Sequence, residues 1–431
     1  MMLKASCHFS NLPAGGDTVK LPIEGKTRAD VMALLERSMA GDLAWQEGRT
    51  FSLVYGAGEE HLQLLREAYA LFMATNGLGA GRMFKSLSTL EAELVSMSAE
   101  LLGGAGCPGN ITSGGSESII LGIRAACERA RVERPHVTRP ELVLPVSAHP
   151  AFDKAAEIFG IRNVRTPLTK DYVADVEAMA DAVTDDTIAL VASAPNYPFG
   201  TIDPVPAIAE IARRDGLHLH VDACVGGFAL PFLKKLGQPI PPFDFTVPEV
   251  STMSADLHKY GFAARGTSLV LYRDQMLQSR VAFELNDWSG GAYRTPTMAG
   301  SRPGGMIAAA WAVFQHYGEA GFLELNRTML DTSLRLRRGI EAIPGFHVLG
   351  DPAMYVWGFA SDAIDVMAVA DAMAERRWYL GRQLTTPPSL HVVLTPIHAP
   401  VVDDFLRDLH EVADAIGRSG RTGEKRSNYA T

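Results

Sequence analysis

The sequence predicts an α/β protein in which a large domain, built on a mostly parallel β-sheet, is followed by a smaller α+β domain. Three observations predict it. From Asn110 onward, short and nearly continuous apolar runs rich in β-branched residues alternate with helix-length amphipathic stretches, the pattern of strands covered by helices on both faces. After about Tyr272 this rhythm gives way to one long helical stretch and shorter strands. No period of about 20 to 50 residues recurs, which sets solenoids and propellers aside.

Taken in order, EEHLQLLREAYALFMA and STLEAELVSMSAELL have helical apolar spacing and are divided by the loop NGLGAGRMFKS. SESIILGIRAACERAR follows as a helix, then ELVLPVS (strand), PAFDKAAEIFG (helix), RNVRTP (strand) and VADVEAMADAV (helix). The series continues with TIALVAS (strand), VPAIAEIARRDG (helix) and the strands LHLHVDA, EVSTMSA and GTSLVLY. The stretch from Gly304 to Ile343 reads as a long helix with a glycine break. It is followed by strands FHVLG, AMYVWGF and LHVVLT, and by helices DVMAVADAMAERR and PVVDDFLRDLHEVADAI. The polar tail from Arg418 is expected to fray. The expected division is an N-terminal helical segment (1–75), a large domain (76–300) and a small C-terminal domain (301–431).

Composition narrows the function. The 431 residues are 47% hydrophobic and 21% charged, with 40 Lys and Arg against 49 Asp and Glu and a net charge of −9. Such a chain is globular, and without a basic block it lacks the footprint of a nucleic-acid partner. Cys7, Cys107, Cys127 and Cys224 form no CxxC pair and read as reduced thiols. With neither a signal-like N-terminus nor a membrane-length apolar run, a cytoplasmic protein with a small-molecule partner is expected.

Four features carry chemistry. Lys259, in Ser254-Ala255-Asp256-Leu257-His258-Lys259-Tyr260-Gly261, falls in a loop at a sheet end, where an amine can form an imine or simply be solvated. Asp222 ends the apolar strand LHLHVDA, where a buried carboxylate needs a cationic partner or a turn to cap. A protonated pyridine nitrogen would be such a partner. Thr112-Ser113-Gly114-Gly115-Ser116-Glu117-Ser118 opens a helix with the glycines and hydroxyls that suit a phosphate or a plain N-cap. His149, at the end of ELVLPVS, can stack on a planar ring or cap the next helix. Their order along one parallel sheet points jointly to a pyridoxal 5'-phosphate site.

TSGGSESIILGIRAA, HPAFDKAAEIFGI, APNYPFGTIDPV, HVDACVGGF, SADLHKYGFAARGTSLVLY and GSRPGG resemble, in order and spacing, the fold-type I decarboxylase-like enzymes, and most closely the sphingosine-1-phosphate lyases. The resemblance runs from about Glu47 to Arg302. It implies the fold-type I pyridoxal phosphate architecture, with Lys259 as Schiff-base lysine, His258 and Gly115-Ser116 on the cofactor phosphate, Asp222 on the pyridine nitrogen and His149 against the ring. It further implies that Gly300-Ser301 reaches the cofactor of a neighbouring subunit in a homodimer. Tyr55 stands where the family has a catalytic tyrosine, although Phe51-Ser52 replaces its Ser-Gly.

The expected reaction is carbon–carbon cleavage of a phosphorylated long-chain 2-amino-3-hydroxy base to a fatty aldehyde and phosphoethanolamine. Amino-acid decarboxylation on the same scaffold is the alternative, and a cofactor-carrying pseudoenzyme is disfavoured by intact Lys259, Asp222 and His149. Two departures touch the substrate side. The family's Asn-Pro-Leu-His-x-Asp loop is here Asn76-Gly77-Leu78-Gly79-Ala80-Gly81-Arg82, keeping only the asparagine, and a usual lysine becomes Arg265. Arginine can hold a phosphate bidentately but shuttles protons poorly. The glycines at 77, 79 and 81 follow a helix and so do not make a dinucleotide fingerprint. His218, His220 and Asp222 alternate on one strand face, but the pyridine explains the aspartate better than a metal does, and no metal is expected.

Overall fold

In the parallel sheet, alternate residues of one strand serve two different cores, and this is the pleat at work. Leu142 and Leu144, with Ala189 and Val191, pack against Ile119, Ile123 and Phe152. Val143, Leu190 and Ala192 pack on the opposite side with Ile208 and Ala212. The computed structural model describes residues 19–384 and 387–424. Cys7 and residues 425–431 of the polar tail therefore lie outside the described residues.

The chain divides into one unit ending at Leu43 and another beginning at Ala44. The first holds α1 (Arg28–Ser38), capped by Thr27, whose hydroxyl accepts from Asp30 N–H at 3.2 Å. In the second, α2 (Glu59–Phe72) and α3 (Lys85–Leu101) precede a seven-stranded sheet. Its strands are β1 (Gly109–Thr112), β2 (Glu141–Pro145), β3 (Arg162–Thr166), β4 (Thr187–Ser193), β5 (His218–Asp222), β6 (Val250–Ala255) and β7 (Ser268–Tyr272), in the order β1-β7-β6-β5-β4-β2-β3. Only β7 is reversed, running antiparallel to both β6 and β1. The intervening helices are α4 (Gly115–Glu133), α5 (Ala151–Phe159), α6 (Val176–Asp181), α7 (Val205–Asp215), α8 (Leu230–Lys235) and α9 (Gln275–Val281).

A hairpin of β8 (Phe283–Leu285) and β9 (Tyr293–Thr295) leads into α10 (Gly304–Glu341), which breaks at Gly318, where φ is 53°. That is the left-handed region open to glycine, and it is the break expected from sequence. A second sheet of β10 (Phe346–Val348), β11 (Val356–Ser361), β12 (Gly381–Gln383) and β13 (Ser389–Val393) is antiparallel throughout, in the order β10-β11-β13-β12. With α11 (Val366–Glu375) and α12 (Val402–Ser419) it forms the α+β part.

The series expected from sequence lacks α1, α8, α9, β8, β9 and β12, and two further differences have a clear physical reason. β1 was not expected, since GNIT has a single large apolar side chain and becomes a strand only by pairing with β7. Nor does the chain fray at Arg418. α12 continues through Ser419, after which Arg421 meets Glu375 at 3.0 Å and Glu424 N–H donates to Asp371 at 3.0 Å.

Burial gives the fold a pH limit. His61, His220 and His391 are each pushed down to about 4 by burial, whereas an unfolded imidazole titrates near ~6.5. As pH falls between those values the unfolded chain takes up protons that the folded one refuses, costing about 1.4 kcal/mol per pH unit for each histidine. Buried Asp203, pushed up to about 6, acts in the opposite sense and offsets roughly one of the three. Calorimetry from neutral pH to pH ~4 should therefore show a steep loss of Tm, and a flat profile would contradict these protonation states.

Candidate active site

The N-terminus of α4 and the carboxyl ends of β2, β4, β5 and β6 meet at one edge of the large sheet, where parallel sheets bind ligands. They enclose a cavity of about 370 Å³ lined by Gly115, Ser116, His149, Asp222, His258 and Lys259, with Tyr197, Cys224 and Asp256 among its other walls. Six of the sequence-predicted residues thus share one space.

Gly115 must be glycine, because a Cβ there would stand 2.8 Å from both carboxylate oxygens of Asp256. This close approach brings the first-turn amides of α4, which have no intrahelical acceptor, to the cavity wall. Glu117 folds back over the turn and accepts from Ser113 N–H at 2.7 Å and from the Ser113 hydroxyl at 2.6 Å. Its other oxygen accepts from Met298 N–H at 2.9 Å.

The loop between β6 and β7 is held at both ends by the sheet and presents Lys259. Its Nζ lies 2.9 Å from Asp256, which is 2% exposed. Burial alone would discharge the amine, but the Asp256 carboxylate, together with Cys224 and Tyr55, overcomes it and holds the lysine well above its ordinary range. Asp256 in turn is lowered, the pull of Lys259 and His258 overcoming burial, and it accepts from the Ser268 hydroxyl. His258 Nε2 stands 3.7 Å from Asp256, and burial lowers the imidazole below its usual range. Asp222 Oδ1 accepts from Cys224 N–H at 3.0 Å and Ser254 Oγ at 3.2 Å. His149 accepts at Nδ1 from Ala151 N–H at 3.1 Å. Burial lowers it despite the opposing pull of Asp222.

The remaining predicted residues fall outside this lining. Tyr55 packs edge-on against Tyr260 at 5.0 Å, and the Arg265 guanidinium sits 5.1 Å over the Tyr55 ring while donating to the Leu53 carbonyl. Asn76 and Ser301 form a separate cluster. Asn76 Nδ2 donates to Ser301 Oγ at 3.0 Å, and Arg302 N–H donates to Asn76 Oδ1 at 3.1 Å. Gly300 lies in the same segment, close against the Tyr293 hydroxyl. His218 and His220, considered above as ligands, both bond to the Thr252 hydroxyl at 2.8 Å. Sequence reasoning missed Asp256 as the partner of Lys259, although it stands three residues away in the same motif, and Glu117, whose spacing from Ser113 is close to a capping box.

The profile described as the pyridoxal-dependent decarboxylase conserved domain matches residues 20–360. The sphingosine-1-phosphate lyase of Oryza sativa subsp. japonica is 42% identical over 420 residues, covering 94% of this chain and 77% of its own. The chain belongs to the sphingosine-1-phosphate lyase family. The likeness extends beyond the expected limits at Glu47 and Arg302. Among solved structures, the sphingosine-1-phosphate lyase of Burkholderia pseudomallei K96243 is similar at a TM-score of 0.89 and 36% identity, over 94% of this chain and 95% of that one.

The cofactor of this lyase family member is pyridoxal 5'-phosphate, and the cavity suits it. Helix amides and His258 provide an anion site, Asp222 a buried carboxylate, His149 an imidazole face and Lys259 an amine, all on the walls of one space. No helix among the described residues is long and apolar enough to cross a membrane.

Proposed function

We propose that the chain cleaves the C2–C3 bond of a phosphorylated long-chain 2-amino-3-hydroxy base, releasing a fatty aldehyde and phosphoethanolamine. The observation that carries this reading is the convergence of Lys259, Asp222, His149, His258 and the α4 N-terminus on one cavity in a chain of this family. When bound, the cofactor supplies an electron sink for the broken bond. Gly115, Ser116 and His258 would hold its phosphate, His149 would lie against its ring, Asp222 would meet the ring nitrogen, and Lys259 would be its covalent anchor. Lys259 Nζ, 2.9 Å from Asp256 and favoured in its charged form, would also be placed to hold or return a proton. Tyr55 Oη is the second candidate for proton transfer, at the β-hydroxyl.

Arg265, held over the Tyr55 ring, grips the substrate phosphate. A neighbouring cleft of about 310 Å³ shares Ser147, His149 and Tyr197 with the cofactor cavity and is walled by Val146, Pro150, Pro198 and Leu384, which suits an alkyl chain. Gly300, Ser301 and Asn76 complete the site of a second copy. Their absence from the cavity lining supports this, as do the exposed apolar side chains near them in sequence, Leu71, Met73, Leu78, Met83 and Met298. We further propose a cytoplasmic homodimer in which residues 76–300 carry the cofactor and 301–431 form the smaller domain.

Product analysis by mass spectrometry tests the reaction. Sphingosine 1-phosphate should yield a long-chain aldehyde and phosphoethanolamine. Carbon dioxide and an amine from an amino acid, with the phosphosphingoid untouched, would instead establish decarboxylation. In the same assay Arg265→Ala should lose about tenfold or more in kcat/KM on the phosphorylated base relative to the unphosphorylated one, the scale of a charge-assisted contact. An equal loss on both would remove Arg265 from phosphate recognition.

A further inference from the structure

Behind Asp222 a line of buried hydroxyls and imidazoles runs back into the protein between β5 and β6. Ser254 Oγ donates to Asp222 Oδ1 at 3.2 Å and lies 3.3 Å from His220 Nε2. His220 Nδ1 is 2.8 Å from Thr252 Oγ1, which is also 2.8 Å from His218 Nε2. Every member is buried, and His218 and His220 are 1% and 0% exposed.

The chemistry of the groups fixes the direction of every proton. A carboxylate only accepts, so Ser254 gives its hydrogen to Asp222 and accepts from His220. Burial keeps His220 neutral, with a single N–H, and that N–H must be on Nε2. Its Nδ1 then accepts from Thr252, which in turn accepts from His218 Nε2–H. His218 Nδ1, at the far end, has no hydrogen-bond partner among the described residues, as expected of a bare lone pair closing a one-way chain. Space for the arrangement is made by α4, where Gly122 faces the ring. A Cβ there would come within 2.6 Å of the His220 imidazole.

We propose that His220 is a positioning residue for Asp222. Acting through Ser254, it commits Oδ1 to the protein and leaves Oδ2 to meet the ring nitrogen of the cofactor, keeping that nitrogen protonated. This rests on the assignment of Asp222 to the ring nitrogen. Thr252 has the supporting task of fixing the His220 tautomer, since without its hydroxyl the imidazole is free to place its proton on either nitrogen.

The test uses full-length protein loaded with pyridoxal phosphate labelled with ¹⁵N in the ring, and reads the ring-nitrogen resonance and the cofactor Kd. Ser254→Ala and His220→Phe should each weaken cofactor binding by about tenfold, the scale of one hydrogen bond to a charged group. Both should move the resonance toward that of an unprotonated pyridine. His220→Gln, which returns a donor toward Ser254, should restore most of both, and Thr252→Val should fall between. Unchanged Kd and resonance in folded Ser254→Ala, alongside a large change in Asp222→Ala, would overturn the role of His220 alone. An unmoved resonance in Asp222→Ala would instead overturn the ring-nitrogen assignment beneath it. Ser254→Ala removes a single oxygen and decides the matter if His220→Phe does not fold.

Discussion

Replacing Lys259 by alanine should abolish turnover and leave the protein colourless after incubation with pyridoxal phosphate. On the proposed reading the amine is the covalent anchor and a proton carrier, and the cavity lining holds no second lysine to substitute for it. A second effect separates loss of chemistry from loss of fold. Asp256 is 2% exposed, and without Nζ at 2.9 Å its charge loses its nearest cation. Removing one partner of a buried pair costs about 3–5 kcal/mol, less whatever His258 and Ser268 retain. Lys259→Ala should therefore melt earlier than the parent, and adding Asp256→Asn should recover part of the lost Tm without restoring colour. Persistence of a visible cofactor band in Lys259→Ala would end the pyridoxal reading of this cavity.

Asp222→Ala should retain some bound cofactor, because the α4 amides, His258 and Lys259 remain, but should suppress turnover by several orders of magnitude. Asp222→Asn distinguishes the reason. It preserves an acceptor for Cys224 N–H and Ser254 Oγ but carries no charge to pair with a ring N–H⁺. A defect as deep in the asparagine variant as in the alanine variant assigns the loss to charge. Turnover near the parental level in either variant would show that the carboxylate does not serve the ring.

The parallel strands were legible because their burial is continuous. TIALVAS and LHLHVDA can hardly be anything but central strands, and β4 and β5 are indeed buried at every position. Site residues at strand ends, Asp222 and His149, were legible for the same reason, since a polar residue closing an apolar run stands out. Lys259 needed its motif, as a lone lysine carries no signal. What could not be read depends on partners distant in sequence. β1 exists through its pairing with β7, and Asn76 finds Ser301 from the far side of the large sheet's sequence. The Thr252 and Ser254 hydroxyls looked like ordinary strand residues, because alternation along β6 shows which face they occupy but not which imidazoles await them on β5.

The reversed strand has a consequence for how the protein is made. The turn proposed to cradle the cofactor phosphate hangs from β1, an edge strand whose one neighbour is β7, with Gly109 opposite Leu271. During synthesis β1 emerges early but has nothing to pair with until β7 has left the ribosome, and β7 itself docks on β6. The lysine loop lies between those last two strands. Phosphate cradle and lysine are thus fixed in a single late closure of long sequence separation, the kind that slows folding. A nascent chain that ends before β7 carries Asp222 and His149 on the middle strands but neither a paired β1 nor a lysine loop held at both ends.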